Sequence, residues 1–100
     1  MYKITVLLEH PVDPAEFESY LKNTHLPLVY EMPGVSRIEL TKFEKSADGS
    51  KPEFYRMAEL YFGSKSEMEE TMGSPEGQAT INDLQNLTAS RVKIILGTVE

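Results

Sequence analysis

Two histidines, sixteen carboxylates and five tyrosines supply the chain's proton-moving groups, and cysteine is absent. His25 is the first candidate. It lies in Asn23-Thr24-His25-Leu26-Pro27, at the expected end of a helix, and an imidazole with an ordinary pKa of about 6.5 suits general acid/base work near neutrality. The alternative is that it caps the helix C-terminus, where imidazolium is favoured by the dipole. His10, next to Pro11, reads as a turn residue. Glu39 and Glu59 are expected on neighbouring strands facing a shared cleft, where burial would raise a carboxyl pKa. With Arg37 close by, the competing reading is a cross-strand ion pair. Tyr55 and Tyr61 on the same face can orient a carbonyl or phenol, or pack against a second copy of the chain. Met57 beside them reads as a gap filler.

Much else is excluded. Without cysteine there is no disulfide, thiolate nucleophile, iron–sulfur cluster or Cys-type zinc site. Two histidines fifteen residues apart give no metal-ligand spacing, and a metal would require Glu39 or Glu59 to join His25, so no metal is expected. Gly73-Ser74-Pro75-Glu76-Gly77 is one residue out of step with a nucleophile elbow. No glycine-rich phosphate loop and no nicotinamide or flavin motif is present, so no cofactor is expected. The net charge of −6 opposes phosphate backbones and anionic lipid, which argues against nucleic acid and membrane partners. No stretch approaches the roughly 20 apolar residues of a membrane span. The first residues lack a signal-peptide pattern, so the expected location is the cytoplasm, with Met1 as the initiator.

The elements that must position these groups follow from periodicity. One hundred residues, 40% of them hydrophobic, suit a single domain spanning 1–100 with one core. Residues 2 to 9 alternate as a strand. Asp13-Pro14-Ala15-Glu16 is a helix start, and Phe17, Tyr20 and Leu21 give an apolar face to a helix from about Pro14 to Asn23. Pro27 should end it near Thr24, with a short second turn from Pro27 to about Glu31. Residues 35 to 45 read as strand two and Phe54 to Phe62 as strand three, joined through Asp48-Gly49 as a hairpin with a loose tip. On strand three Phe54, Ala58, Leu60 and Phe62 should share one face, with Tyr55, Met57, Glu59 and Tyr61 on the other. Ser64 or Ser66 can cap a helix reaching Met72, Ser74-Pro75 starts another, and residues 90 to 97 close the chain as strand four. The order β-α-β-β-α-β is the split, ferredoxin-like α+β plan, a four-stranded antiparallel sheet with helices on one face. The other face would carry Phe43, Tyr55, Met57 and Tyr61, more apolar surface than a monomer usually leaves wet, so a homodimer covering it is expected.

In order along the chain, Phe17-x-x-Tyr20, His25-x-Pro27-Leu28, Pro33-Gly34-Val35, Ala58-x-Leu60-x-Phe62, Ser74-Pro75-x-Gly77 and Asp83-x-x-Asn86 resemble the EthD family, named from ethyl tert-butyl ether degradation. The resemblance covers nearly the whole chain and matches His25 to the family's histidine. It implies a dimeric α+β barrel in which two ferredoxin-like sheets close around a cleft. Relatives on that barrel include small monooxygenases, muconolactone isomerases, polyketide cyclases and dehydratases, and haem-degrading enzymes, and fold analogy alone does not choose among them. Two readings stay open. One is a cofactor-independent isomerase, lyase or oxygenase acting on a small hydrophobic or aromatic compound, with His25 as general acid/base and Arg37, Glu39, Tyr55, Glu59 and Tyr61 lining the substrate site. The other is a non-catalytic dimer that binds a small ligand or assists a degradation pathway. A closed pocket of about 300 Å³ or more with His25 at its wall favours the first, and a barrel filled by side chains favours the second.

Overall fold

The computed structural model describes residues 1–87 and 91–100. Strand β1 (Tyr2–Glu9) leads to helix α1 (Pro14–Tyr20), a π-helical turn (Leu21–His25) and helix α2 (Leu26–Glu31). Strands β2 (Arg37–Lys42) and β3 (Phe54–Phe62) follow, then helices α3 (Lys65–Gly73) and α4 (Pro75–Leu87), and strand β4 (Val92–Thr98). The strands pair antiparallel in the order β2-β3-β1-β4. This is the expected ferredoxin-like α+β sheet, with both central strands flanked. Strand β2 is shorter than the span 35–45 expected for it, and the expected start of the last strand at residue 90 lies outside the described residues.

Local chemistry sets the helix starts. Asp13 accepts from the Glu16 amide at 3.1 Å with Pro14 at the first helical position, Ser64 accepts from the Glu67 amide at 3.2 Å, and Ser74 accepts from the Gly77 amide at 3.1 Å. The turn into β2 needs Gly34, whose φ of 81° is costly for a residue with a Cβ. A side chain there would also press on the Thr71 hydroxyl, which donates to the Pro33 carbonyl at 2.7 Å and ties this turn to α3.

Two expectations need correction. The helix does not stop before Pro27. It widens into the π turn, where the Leu26 amide reaches back five residues to the Leu21 carbonyl, and continues as α2. Proline lacks a donor and its ring clashes with the carbonyl four residues earlier in an α-helix, here that of Asn23. A wider turn accommodates that ring without breaking the helix. Leu26, the residue before the proline, consequently stays in the α region at φ −59° and ψ −39°.

The second correction is in β3. Leu8 pairs with Arg56 but Glu9 pairs with Phe54, so a bulge falls at Tyr55. The bulge turns Tyr55 to the helix side, where its ring meets Phe17 edge-on at 5.5 Å and joins a buried cluster with Leu8, Leu21 and Leu87. Phe54 moves off the helix face and lies 5.6 Å from the ammonium of Lys93, the β4 partner of Leu7. Strict alternation had assigned these two rings to the opposite faces. A second cluster of Ile4, Val29, Met32, Leu60, Phe62 and Met68 fills the other end of the helix–sheet interface, with Phe62 fully enclosed.

Candidate functional site

Between the two clusters lies a cavity of about 280 Å³. Its floor is the helix-facing side of the sheet, including Val6, Leu40, Ala58 and Ile94, and its roof comes from the π turn, α2 and α4. His25 stands in that wall and is only 6% exposed. The π turn positions it, since the added residue per turn rotates the imidazole toward α4.

There the imidazole Nδ1 lies 2.9 Å from Asp83 Oδ2 on α4. The Tyr20 hydroxyl donates to Asp83 Oδ1 at 2.6 Å, and Asn86 Nδ2 donates to the same oxygen at 3.3 Å. Burial pushes the Asp83 carboxyl up, but the hydrogen bonds from Tyr20, His25 and Asn86 outweigh it and hold the group below the usual carboxylate range. Tyr20 is pushed the other way, because its bond to Asp83 disfavours the phenolate. An ionised Asp83 accepts, so the bond sets a hydrogen on Nδ1, and in the neutral ring the lone pair is then on Nε2. Nε2 has no hydrogen-bond partner among the described residues, and no buried side-chain nitrogen or oxygen among them lacks one, so Nε2 is an accessible atom on a residue that lines the cavity. Neither helix segment around His25 uses its side chain as a cap, which removes the capping alternative.

The other expected site residues lie elsewhere. Arg37, Glu39, Glu59 and Tyr61 share the open face of the sheet, and β2 and β3 pair Arg37 with Tyr61 and Glu39 with Glu59. The Arg37 guanidinium lies 4.2 Å over the Tyr61 ring and 3.3 Å from Glu39. Tyr61 donates to Glu59 at 2.6 Å and its hydroxyl lies 3.3 Å from Glu39, while Lys3 lies 3.7 Å from Glu59. None of these residues lines the cavity, and neither does Tyr55. The expectation that they share a cleft with His25 is therefore corrected: alternation set them together, and it also set them on the face away from the helix that carries His25. The ion pair foreseen for Arg37 forms with Glu39. His10 is a turn residue whose Nε2 lies 2.8 Å from the Pro52 carbonyl. Among the described residues no cluster of three or more metal-type ligands occurs, and no helix is long and apolar enough to cross a membrane.

Sequence reasoning assigned no role to Asp83 or Tyr20. Both lie in motifs read above, but nothing in one dimension shows that α4 docks its Asp83 against the π turn.

Residues 9–89 match the EthD domain family. The chain belongs to the EthD family. A curated relative, an uncharacterized 11.0 kDa protein encoded in the thcB-thcC intergenic region of Rhodococcus erythropolis, is 39% identical over 95 residues, covering 95% of this chain and 91% of that protein. The crystal structure of an EthD family protein from Bacillus halodurans C-125 superposes with a TM-score of 0.94 at 28% identity, over 100% of this chain and 99% of that one. SnoaB of Streptomyces nogalater, a cofactor-independent oxygenase, shares the fold at a TM-score of 0.66 and 19% identity, over 98% of this chain and 90% of its own. The family match thus covers His25, Asp83 and Tyr20 together with strands β2 and β3, while β4 and nearly all of β1 lie outside it.

Proposed function

We propose that this EthD protein is a cofactor-independent acid/base enzyme for a small hydrophobic or aromatic compound, with His25 as the catalytic residue and Asp83 and Tyr20 as positioning residues. The observation that carries this reading is an imidazole with one nitrogen fixed by a buried carboxylate and the other facing an apolar cavity large enough for a small molecule. Asp83 holds the ring and its tautomer, and it stabilises the imidazolium that forms when Nε2 takes a proton. The lining around that nitrogen is almost wholly apolar, which strengthens the charge interactions within it. SnoaB, of the same fold, is a cofactor-independent oxygenase, which agrees with chemistry run by side chains alone.

A homodimer belongs to this reading, and one fold neighbour, from Bacteroides fragilis, is described as dimeric. The surface that calls for a partner is not the aromatic face anticipated from sequence. Tyr55 is inside, and Tyr61 is covered by Arg37 and Lys3. A run of consecutive exposed apolar groups lies on edge strand β4, where Ile94, Ile95 and Leu96 are about half exposed, the kind of edge that pairs with another chain.

The test is a panel of small aromatic lactones, phenols and ketones, followed for both binding and conversion by the intact protein and by H25Q. Conversion that H25Q loses supports the enzyme. Binding by both proteins with conversion by neither leaves the non-catalytic ligand-binding dimer as the function, and no binding at all removes the cavity as the site.

A further inference from the structure

The lining of the cavity narrows what His25 can act on. Among the described residues, three polar side chains reach its wall, those of His25, Thr80 and Arg56. Two of them are already engaged. The Thr80 hydroxyl lies 2.9 Å from the Glu76 carbonyl and 3.3 Å from that of Leu28, so its single proton is directed at the backbone. The Arg56 guanidinium is gripped by the Glu18 carboxylate through two bonds, at 2.8 and 2.5 Å, which neutralises it. Two consequences follow. A ligand carrying a carboxylate or phosphate would shed its water and find no unpaired cation in return. A reaction passing through a localised oxyanion would find, among the described residues, no free donor placed to hold it.

We infer that the cavity selects an uncharged aromatic hydroxyl compound of one or two rings, which presents its O–H to His25 Nε2 and is held as its own delocalised anion. This rests on the acid/base reading of the site above. In the step itself the O–H bond breaks, the proton passes to Nε2, and the electron pair left on oxygen spreads into the ring. The imidazolium formed is held through Nδ1–H by Asp83. The anion's charge is then balanced by the imidazolium and diluted over carbon, the one form of negative charge that an apolar wall tolerates. The size limit comes from volume: a cavity of about 150 Å³ holds benzene, and this one is about 280 Å³.

Three probes of similar size separate the possibilities: 4-nitrophenol, nitrobenzene and 4-nitrobenzoate, titrated against the full chain in mildly acidic buffer where free 4-nitrophenol is mostly neutral. The expected result is that 4-nitrophenol binds with growth of the phenolate absorption band, nitrobenzene binds without a proton change, and 4-nitrobenzoate binds about tenfold more weakly than 4-nitrophenol or worse. H25L should keep nitrobenzene binding and lose the phenolate band. If H25L proves unstable because Asp83 is left without its partner, the double variant H25L/D83L removes both groups and makes the same comparison. A phenolate band unchanged in the variant, 4-nitrophenol bound in its neutral form, or 4-nitrobenzoate bound as tightly as 4-nitrophenol would overturn the ligand class and leave the acid/base site standing. Binding of none of the three would overturn both.

Discussion

The two faces of the sheet carry the same ingredients and use them differently. On the helix side a tyrosine, a carboxylate and a histidine meet as Tyr20–Asp83–His25. On the open side a tyrosine, two carboxylates and two permanent cations meet as Tyr61, Glu59, Glu39, Lys3 and Arg37. Outside, each carboxylate has a cation within ion-pair distance, and Lys and Arg keep their charge across the physiological range. That cluster can hold strands in register, with each carboxylate already matched to a cation. Inside, the Tyr20–Asp83 pair meets no permanent cation but a histidine, which becomes a cation only by taking a proton, and whose Nε2 has no partner among the described residues. The lesson is that composition does not make a reactive cluster. Reactivity requires one group left incompletely paired beside an apolar cavity that a ligand can enter.

The largest expected effect is on the inner cluster. H25Q should lower any turnover by 100-fold or more, in the range of about 10² to 10⁴ for loss of a general acid/base, while Y61F on the outer cluster should change it by less than about threefold. Steady-state kinetics on the two variants decide it, and the reverse ranking would move the active site to the open face. Stability should divide the same way. D83N leaves the buried His25 and the part-buried Tyr20 hydroxyl with a poorer acceptor and should cost about 1–3 kcal/mol in urea unfolding, against a clearly smaller loss for R37A, whose bridge to Glu39 is about half exposed. Equal losses would mean that Asp83 is merely another surface acid.

Acid should expose the difference next. Asp83, and Glu18 through its bond to Arg56, titrate below their ordinary values when folded. Their contribution is therefore present above the unfolded pKa of about 4 and is lost as pH falls through the lower folded values. The melting temperature should drop below about pH 4, and D83N should flatten that drop in part. An identical acid slope in wild type and D83N would place the titrating groups elsewhere. The smallest effect concerns the edge strand: I95K should shift any dimer toward monomer in sedimentation while leaving the cavity's ligand affinity within about twofold, because Ile95 points away from the cavity-lining Ile94 and Leu96.

Much of this was legible in one dimension because it depends on neighbours along the chain. The alternation of Ile4, Val6 and Leu8, the caps at Asp13, Ser64 and Ser74, and the Asp48-Gly49 tip are local statements, and each is met in the structure. So is the pairing that sets Arg37 opposite Tyr61 and Glu39 opposite Glu59, since a hairpin fixes its own register. His25 stood out by type and by the proline beside it. What sequence could not decide was which face of the sheet encloses the cavity, because alternation names two faces without saying which one the helices leave partly unfilled. Nor could it place the Tyr55 bulge, which depends on β1 fitting against β3, or the π turn, which arises from a proline ring inside a helix that packing keeps continuous. The partnership of His25 with Asp83 spans 58 residues and exists only once α4 packs against the turn. Packing alone makes that contact, and it gives the histidine its tautomer and its open nitrogen.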